Sequence, residues 1–247
     1  MFIAGLQKLT LIDYPDKVAA VVFTLGCNFY CSFCHNPELA NYDANNANRC
    51  ESMRIKEEDF FEFLKSRQGL LEGICITGGE PTLQGDLKEF ITKIKELGFL
   101  VKLDTNGTNS KLLEDLICAK LIDYVAMDIK APFERYAEIT RRLVDLEEIK
   151  KSIKITMEAG FSAINSEKGL FDYEFRSTLV PGFHQVEDIK AMAGLIAGAK
   201  KYFLQNFISQ GKILDSNWLN RRSFTEKEMK EFQAVAGKLV EKCEIRM

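Results

Sequence analysis

Six apolar runs, alternating with stretches of helical period, constrain this chain more than any other feature of its sequence. The strand candidates are Ala19 to Phe23, Gly73 to Thr77, Phe99 to Asp104, Tyr124 to Ile129, Glu174 to Val180 and Tyr202 to Phe207. Most lack polar alternation, as expected of strands covered on both faces. No Pro/Gly-rich linker separates the repeats, so the pattern predicts consecutive βα units around a parallel sheet. The helix between the second and third strands carries Leu87, Phe90, Ile91, Ile94 and Leu97 on one face. The last helix opens with the capping-box pair Thr225 and Glu228, then shows Met229, Phe232, Ala236 and Leu239 on one stripe. Six such units in 247 residues fall short of the eight that close a barrel. The expected fold is therefore α/β, a partial (β/α)6 TIM-like barrel in a single domain. Its core covers about residues 16–210, with a C-terminal helical extension over about 211–247. A doubly wound sheet is the alternative that periodicity does not separate. Leu9 to Asp13 read as part of an extended segment before the first barrel strand, and the Asn-rich stretch Asn41 to Arg49 as a mobile loop.

Charge and hydropathy narrow the function. Lys and Arg number 33 against 36 Asp and Glu, and no basic block is long enough to track a phosphate backbone, which argues against nucleic acid. The longest apolar run is shorter than the roughly 20 residues of a bilayer span, and the start MFIAGLQK lacks a charged region before an apolar core. A cytoplasmic protein without membrane attachment is expected.

Cys27, Cys31 and Cys34 lie directly after the first strand, in GCNFYCSFCHN. A disulfide is disfavoured in a reducing compartment, and three thiols cannot pair completely. Soft thiolates gathered on one loop suit zinc or an iron-sulfur cluster. Structural zinc wants four ligands, and the further candidates are His35, awkwardly adjacent to Cys34, and Cys50, beyond the Asn-rich loop. A 4Fe-4S cluster on three cysteines leaves one iron open for chemistry, and Phe29, Tyr30 and Phe33 are placed to shield it. Cys75, mid-strand, and Cys118 and Cys243, on helices, read as small buried or half-buried apolar residues.

The ends of the later strands also carry polar signals, where reactive groups collect in barrels. The second runs into Gly78-Gly79-Glu80-Pro81, two glycines that let backbone approach a ligand and a carboxylate that can accept from an ammonium group. The third ends in Asp104-Thr105-Asn106-Gly107 and the fourth in Met127-Asp128-Ile129-Lys130; two neighbouring carboxylates call for a cation or ammonium. Arg176 and Thr178 alternate on the fifth strand and so share a face. Gln205 and Asn206 end the sixth, as polar substrate contacts or as caps. His184, after a Pro-Gly turn, reads as a surface-loop histidine, and no Ser-His-Asp setting is present.

The C-x3-C-x2-C pattern with an aromatic before its last cysteine, Cys27, Cys31, Phe33 and Cys34, resembles the signature of the radical S-adenosylmethionine (SAM) superfamily. That resemblance implies SAM chelating the open iron through its amino and carboxylate groups. It also implies cleavage of SAM by one cluster electron to methionine and a 5'-deoxyadenosyl radical. Gly78, Gly79 and Glu80 resemble the SAM-binding GGE motif, with Glu80 on the methionyl amino group. Asp104, Thr105, Met127 (through its carbonyl) and Asp128 resemble a monovalent cation site beside the SAM carboxylate. Lys130 then meets that carboxylate or neutralises Asp128, and Arg176 faces SAM or substrate. The order Leu11-Ile12-Asp13-Tyr14-Pro15, GCNFYCSFCHNPEL, TGGEP, DTNG and MDIKAP resembles the activating proteins of anaerobic ribonucleoside-triphosphate reductase over about residues 3–210. Pyruvate formate-lyase activating enzymes are close relations. Asp16 stands where relatives usually carry Gly, and Leu25 where many carry Gln. Lys190 lies near the place of a His found in the pyruvate formate-lyase activators. The implied activity is installation of a glycyl radical on the reductase, with reduced flavodoxin or ferredoxin as electron donor. The same radical generator acting on another glycyl radical enzyme, a small molecule or a different peptide is the alternative; an iron-sulfur sensor or electron carrier has no need of the strand-end motifs.

Overall fold

The computed structural model describes residues 1–40, 54–164, 171–209, 211–219 and 221–247; the loop expected at Asn41 to Arg49, and Cys50, lie outside them. The chain gathers into two compact units. One holds Met1–Asn28, Glu38–Thr105 and Lys111–Val125, and the other holds Phe29–Pro37, Asn106–Ser110 and Ala126–Met247.

In the first unit β1 (Ile3–Thr10) runs antiparallel to β2 (Ala19–Thr24), which is followed by the one-turn helix α1 (Pro37–Ala40) and by α2 (Glu57–Lys65). Next come β3 (Gly73–Gly78), α3 (Leu87–Glu96), β4 (Leu100–Thr105), α4 (Ser110–Cys118) and the start of β5 (Tyr124–Asp128). β2, β3 and β4 are parallel, with Ala20 opposite Ile74 and Ile74 opposite Val101. Their uninterrupted apolar character has a direct cause: Ala19 to Val22 and Ile74 to Ile76 are buried at every position rather than at every second one. The stripe Leu87, Phe90, Ile91 and Ile94 on α3 is buried as its spacing predicts. Phe90 stacks on Phe60 of α2 with centroids 5.2 Å apart, a contact worth about 1 kcal/mol beyond its buried area.

The second unit contains the end of β5, α5 (Tyr136–Thr140), α6 (Leu146–Ile164), β6 (Asp172–Leu179), α7 (Val186–Leu195), β7 (Tyr202–Asn206), α8 (Glu226–Ala236) and β8 (Cys243–Arg246). β6, β7 and β8 are parallel, and in each unit sheet order follows chain order. All six expected strands are present, with ends displaced by no more than two residues. The capping box at Thr225 and Glu228 forms as read, and Leu239 lies past the end of α8. Among the described residues no helix is long and apolar enough to cross a membrane.

Two cysteines depart from expectation. Cys243 lies on β8 rather than on a helix, and Cys118, on α4, is exposed. A four-residue strand has no readable period, and what fixes β8 is distant in sequence. Arg246 clasps the buried Glu174 carboxylate through two bonds of 3.1 and 3.0 Å and lies 3.7 Å over the Phe203 ring. Arg246→Ala removes both charge-assisted bonds from a carboxylate only 1 % exposed. We expect it to lower unfolding free energy by about 2 kcal/mol, read from the urea midpoint; an unchanged midpoint would mean that β8 does not depend on this clasp.

Candidate functional site

In the first unit, the exits of β2 and β3 are fastened together by backbone. Gly79 N donates to Thr24 O at 3.0 Å and Glu80 N donates to Gly26 O at 2.7 Å. A Cβ on Gly79 would lie 2.0 Å from Gly26 O, and one on Gly78, whose φ is 120°, would lie 2.4 Å from Thr24 N. The two glycines were expected to admit a ligand; the backbone they admit is the chain's own, at the residue preceding Cys27. Glu80, 1 % exposed, accepts through one oxygen from Thr82 N at 3.2 Å, Thr82 Oγ1 at 2.6 Å and Thr105 Oγ1 at 2.8 Å. Those three donors fix the direction of the carboxylate. Thr82 was missed in the sequence, although a threonine two residues after the Glu of a Pro-containing turn is a recognisable capping signal. Asp104 is paired with Lys102, a buried lysine that the sequence reading also passed over.

The second unit holds the later part of the cysteine loop. Cys31 is buried, and Cys34 is half-buried with its N–H donating to Cys31 O at 3.0 Å. The loop is tied down on both sides: Tyr30 N donates to Thr140 O, Asp215 N to Ser32 O and Leu214 N to Cys34 O, at 2.8, 3.0 and 3.0 Å. Phe33 packs 6.0 Å from Phe183 and 6.3 Å from Phe207, and Phe183 stacks on Trp218 at 4.6 Å. Phe29 meets the buried Tyr136 edge-on. These contacts come from far along the chain, so only the motif's own aromatics were foreseeable. Ser32 Oγ is buried with no hydrogen-bond partner among the described residues. Burial pushes the Cys31 thiol up to about 11, against the opposing pull of Lys130.

Asp128, at the end of β5, takes Lys130 Nζ at 2.9 Å and Arg176 Nε at 3.0 Å. Burial alone would raise its carboxyl; Arg176 and Lys130 outweigh that and hold it near 2. Lys130 therefore forms the ion pair with Asp128 that one of its two readings requires. Thr178 and Gln205, opposite each other in the β6–β7 register, line a cavity of about 340 Å3 with His35, Asn206 and Ile208. Asn206 is also a cap: its amide exchanges hydrogen bonds with Phe224 N and O at 3.0 and 2.7 Å.

His184 corrects the sequence reading, since it is 3 % exposed rather than on a surface loop. Its Nδ1 accepts from Val180 N at 3.0 Å and its Nε2 donates to Lys130 O at 3.0 Å, so the ring locks the exit of β6 to the segment after β5. Cys27 belongs to the first unit and is half-buried. Among the described residues no three His, Cys, Asp or Glu side chains are gathered as a metal ion requires.

Comparison with known proteins adds an independent line. A model of the Radical SAM superfamily matches residues 21–170. A Methanocaldococcus jannaschii protein named for glycyl-radical enzyme activation is 35% identical over 246 residues, covering 99% of this chain and 95% of the relative. Among solved structures, Streptococcus suis SuiB aligns with a TM-score of 0.61 at 14% identity, over 91% of this chain and 47% of its own. A domain of the pyruvate-formate lyase-activating enzyme from Bacteroides vulgatus aligns at 0.53 and 18% identity, over 71% of this chain and 99% of its own. At such identities the structural matches speak to fold alone, and they agree with the α/β partial-barrel class.

Two measurements check this geometry. Gly79→Ala should cost about 1–3 kcal/mol in urea unfolding, the ordinary range for overpacking, whereas Gly85→Ala, with nothing within 4 Å of the added Cβ, should be close to neutral; equal costs would contradict the close approach. Burial lowers the His184 pKa from 6.5, so the folded chain holds it neutral while the unfolded chain protonates it. Its stabilisation is complete above about pH 6.5 and is lost as pH falls toward and through the lower folded value. His184→Gln should flatten that slope, and an undiminished slope would remove the assignment.

Proposed function

The chain belongs to the radical SAM superfamily, and from that premise we propose that it is an activase that installs a glycyl radical on a partner enzyme. The family implies a 4Fe-4S cluster and SAM. In kind the donors suit the cluster: three soft thiols close together in sequence, the middle one buried, with Phe33 packed between Phe183 and Phe207 and with the Lys130 ammonium electrostatically felt at Cys31. In this reading Cys27, Cys31 and Cys34 hold the cluster, and Phe33, Gly78, Gly79, Glu80, Asp104, Thr105, Asp128, Lys130 and Arg176 serve SAM. When bound, the cluster supplies the electron that splits SAM into methionine and a 5'-deoxyadenosyl radical, which takes hydrogen from a glycine Cα.

The chain's own work is positioning and exclusion of water. Glu80, aimed by Thr82 and Thr105, presents a fixed carboxylate suited to an ammonium group. Lys130 and Arg176 keep Asp128 ionised across the physiological range. Phe33, Phe183, Phe207 and Trp218 form a dry wall beside the cysteine loop, which a carbon radical needs if it is not to react with solvent-borne groups. The observation that carries the activase reading is likeness along the whole chain, rather than over the motif region, to a protein named for that activity. Within the class we assign anaerobic ribonucleoside-triphosphate reductase as the partner, on the order of the strand-end motifs. Reduced flavodoxin or ferredoxin is the assigned donor and the cytoplasm the assigned setting.

Anaerobic reconstitution with iron and sulfide, followed by dithionite and SAM, should release 5'-deoxyadenosine. Cys31→Ala should reduce that release to the uncatalysed background, and full turnover by the variant would overturn the ligand assignment. Mixing the reduced protein with the reductase, and separately with pyruvate formate-lyase, distinguishes the partners. A glycyl radical doublet in electron paramagnetic resonance is expected on the reductase. A doublet on the lyase alone would move the partner, and deoxyadenosine without a doublet on either would exclude the assigned activity.

A further inference from the structure

Lys102 is a buried cation with no part in the chemistry described above. It lies on β4, 2 % exposed, opposite Cys75 of β3 in the parallel register. Residues 102 and 104 are two apart on a strand and so share a face; the Lys102 ammonium donates to Asp104 Oδ1. The Cys75 sulfur stands 3.7 Å from both Lys102 Nζ and Asp104 Oδ1. An ammonium taken out of water is tolerated only with an anion beside it, and the converse holds for the carboxylate. Asp128 has the same provision within its own unit, from Lys130 at 2.9 Å and Arg176 at 3.0 Å.

The sequence resemblance assigns Asp104 and Asp128 to a monovalent metal ion. In this chain each carboxylate already faces a full positive charge from a side chain. We propose that the Lys102 ammonium stands at Asp104 in place of that ion, a tethered cation of the same unit charge, so that the protein has no requirement for K+ or Na+. Lys102 is then a positioning residue: it compensates Asp104 and fixes the direction of its carboxylate. The inference rests on the activase reading only for the choice of Asp104 as a site residue.

Thermal unfolding of the full chain without iron, followed by circular dichroism in potassium, sodium or tetramethylammonium chloride at equal ionic strength, tests it. The wild-type midpoint should be the same in all three salts. Lys102→Met should lower it by about 5 °C and regain part of that loss saturably in K+ or Na+ but not in tetramethylammonium. The pair Lys102→Met with Asp104→Asn, neutral at both positions, should melt above the single variant and ignore the choice of salt. A wild-type midpoint raised saturably by K+ or Na+ would overturn the proposal, as would a Lys102→Met variant that responds to all three salts alike. If Lys102→Met does not fold, a folded double variant supports the compensation and a double variant that still needs K+ overturns it. After reconstitution, deoxyadenosine release by the wild type should be equal in the three salts, and a K+ requirement would again overturn the proposal. Failure of the activase reading itself would show as no release in any salt and would leave the melting results standing.

Discussion

The close passage of backbone at Gly79 and Gly26 is the constraint from which the placement of the first unit's candidate residues follows. Two parallel strands leave the sheet side by side, and the hydrogen bonds Gly79 N to Thr24 O and Glu80 N to Gly26 O bring their exits into contact with no room for a side chain between them. One of those exits continues into Cys27 and the other delivers Glu80. Thr82 and Thr105 then take the Glu80 carboxylate from two directions. The position of an anionic group thus depends on glycine at 79 and on two hydroxyls, none of which contributes charge.

Charge burial shapes the rest. Asp104 and Asp128 both stand toward strand ends, and each has a side-chain cation beside it: Lys102 on the same strand for the first, Lys130 just past the end of β5 and Arg176 on β6 for the second. Alternation along a strand makes i and i±2 face-mates, so the Lys102–Asp104 pair is written into the local sequence of β4, whereas Arg176 reaches Asp128 from 48 residues away. The cysteine loop is governed by the opposite economy. Its middle thiol is buried, which pushes its pKa up against the pull of Lys130, and the aromatic residues on either side of it, Phe29 and Phe33, pack on other rings. Burial that raises a thiol pKa disfavours the free thiolate at Cys31.

Much of this was legible in the sequence because it depends on period and spacing. The six strands, the α3 stripe and the Thr225 capping box follow from local patterns that tertiary packing had no reason to override. Less legible were features whose cause lies elsewhere in the chain. β8 is too short to show a period and is fixed by Arg246 reaching Glu174; His184 follows a turn that normally marks the surface, yet its ring joins Val180 to Lys130. The glycines of the GGE segment were read for a missing side chain, and the structure adds a neighbour the sequence does not show, the backbone at Thr24 and Gly26. Lys102 was overlooked because a lysine within an apolar strand reads as a defect until its carboxylate is seen two residues on.

In the activity proposed above, Cys27, Cys31 and Cys34 would leave one iron without a side-chain ligand, the position SAM would fill. Electron-nuclear double resonance on the reduced, reconstituted protein with SAM labelled at its amino nitrogen addresses this at the atom concerned. The account predicts a nitrogen coupling of the size of a direct iron–nitrogen bond, present in the wild type and lost when SAM is left out. A cluster that shows no coupling to the labelled nitrogen, with a fourth protein ligand on the remaining iron, would contradict it.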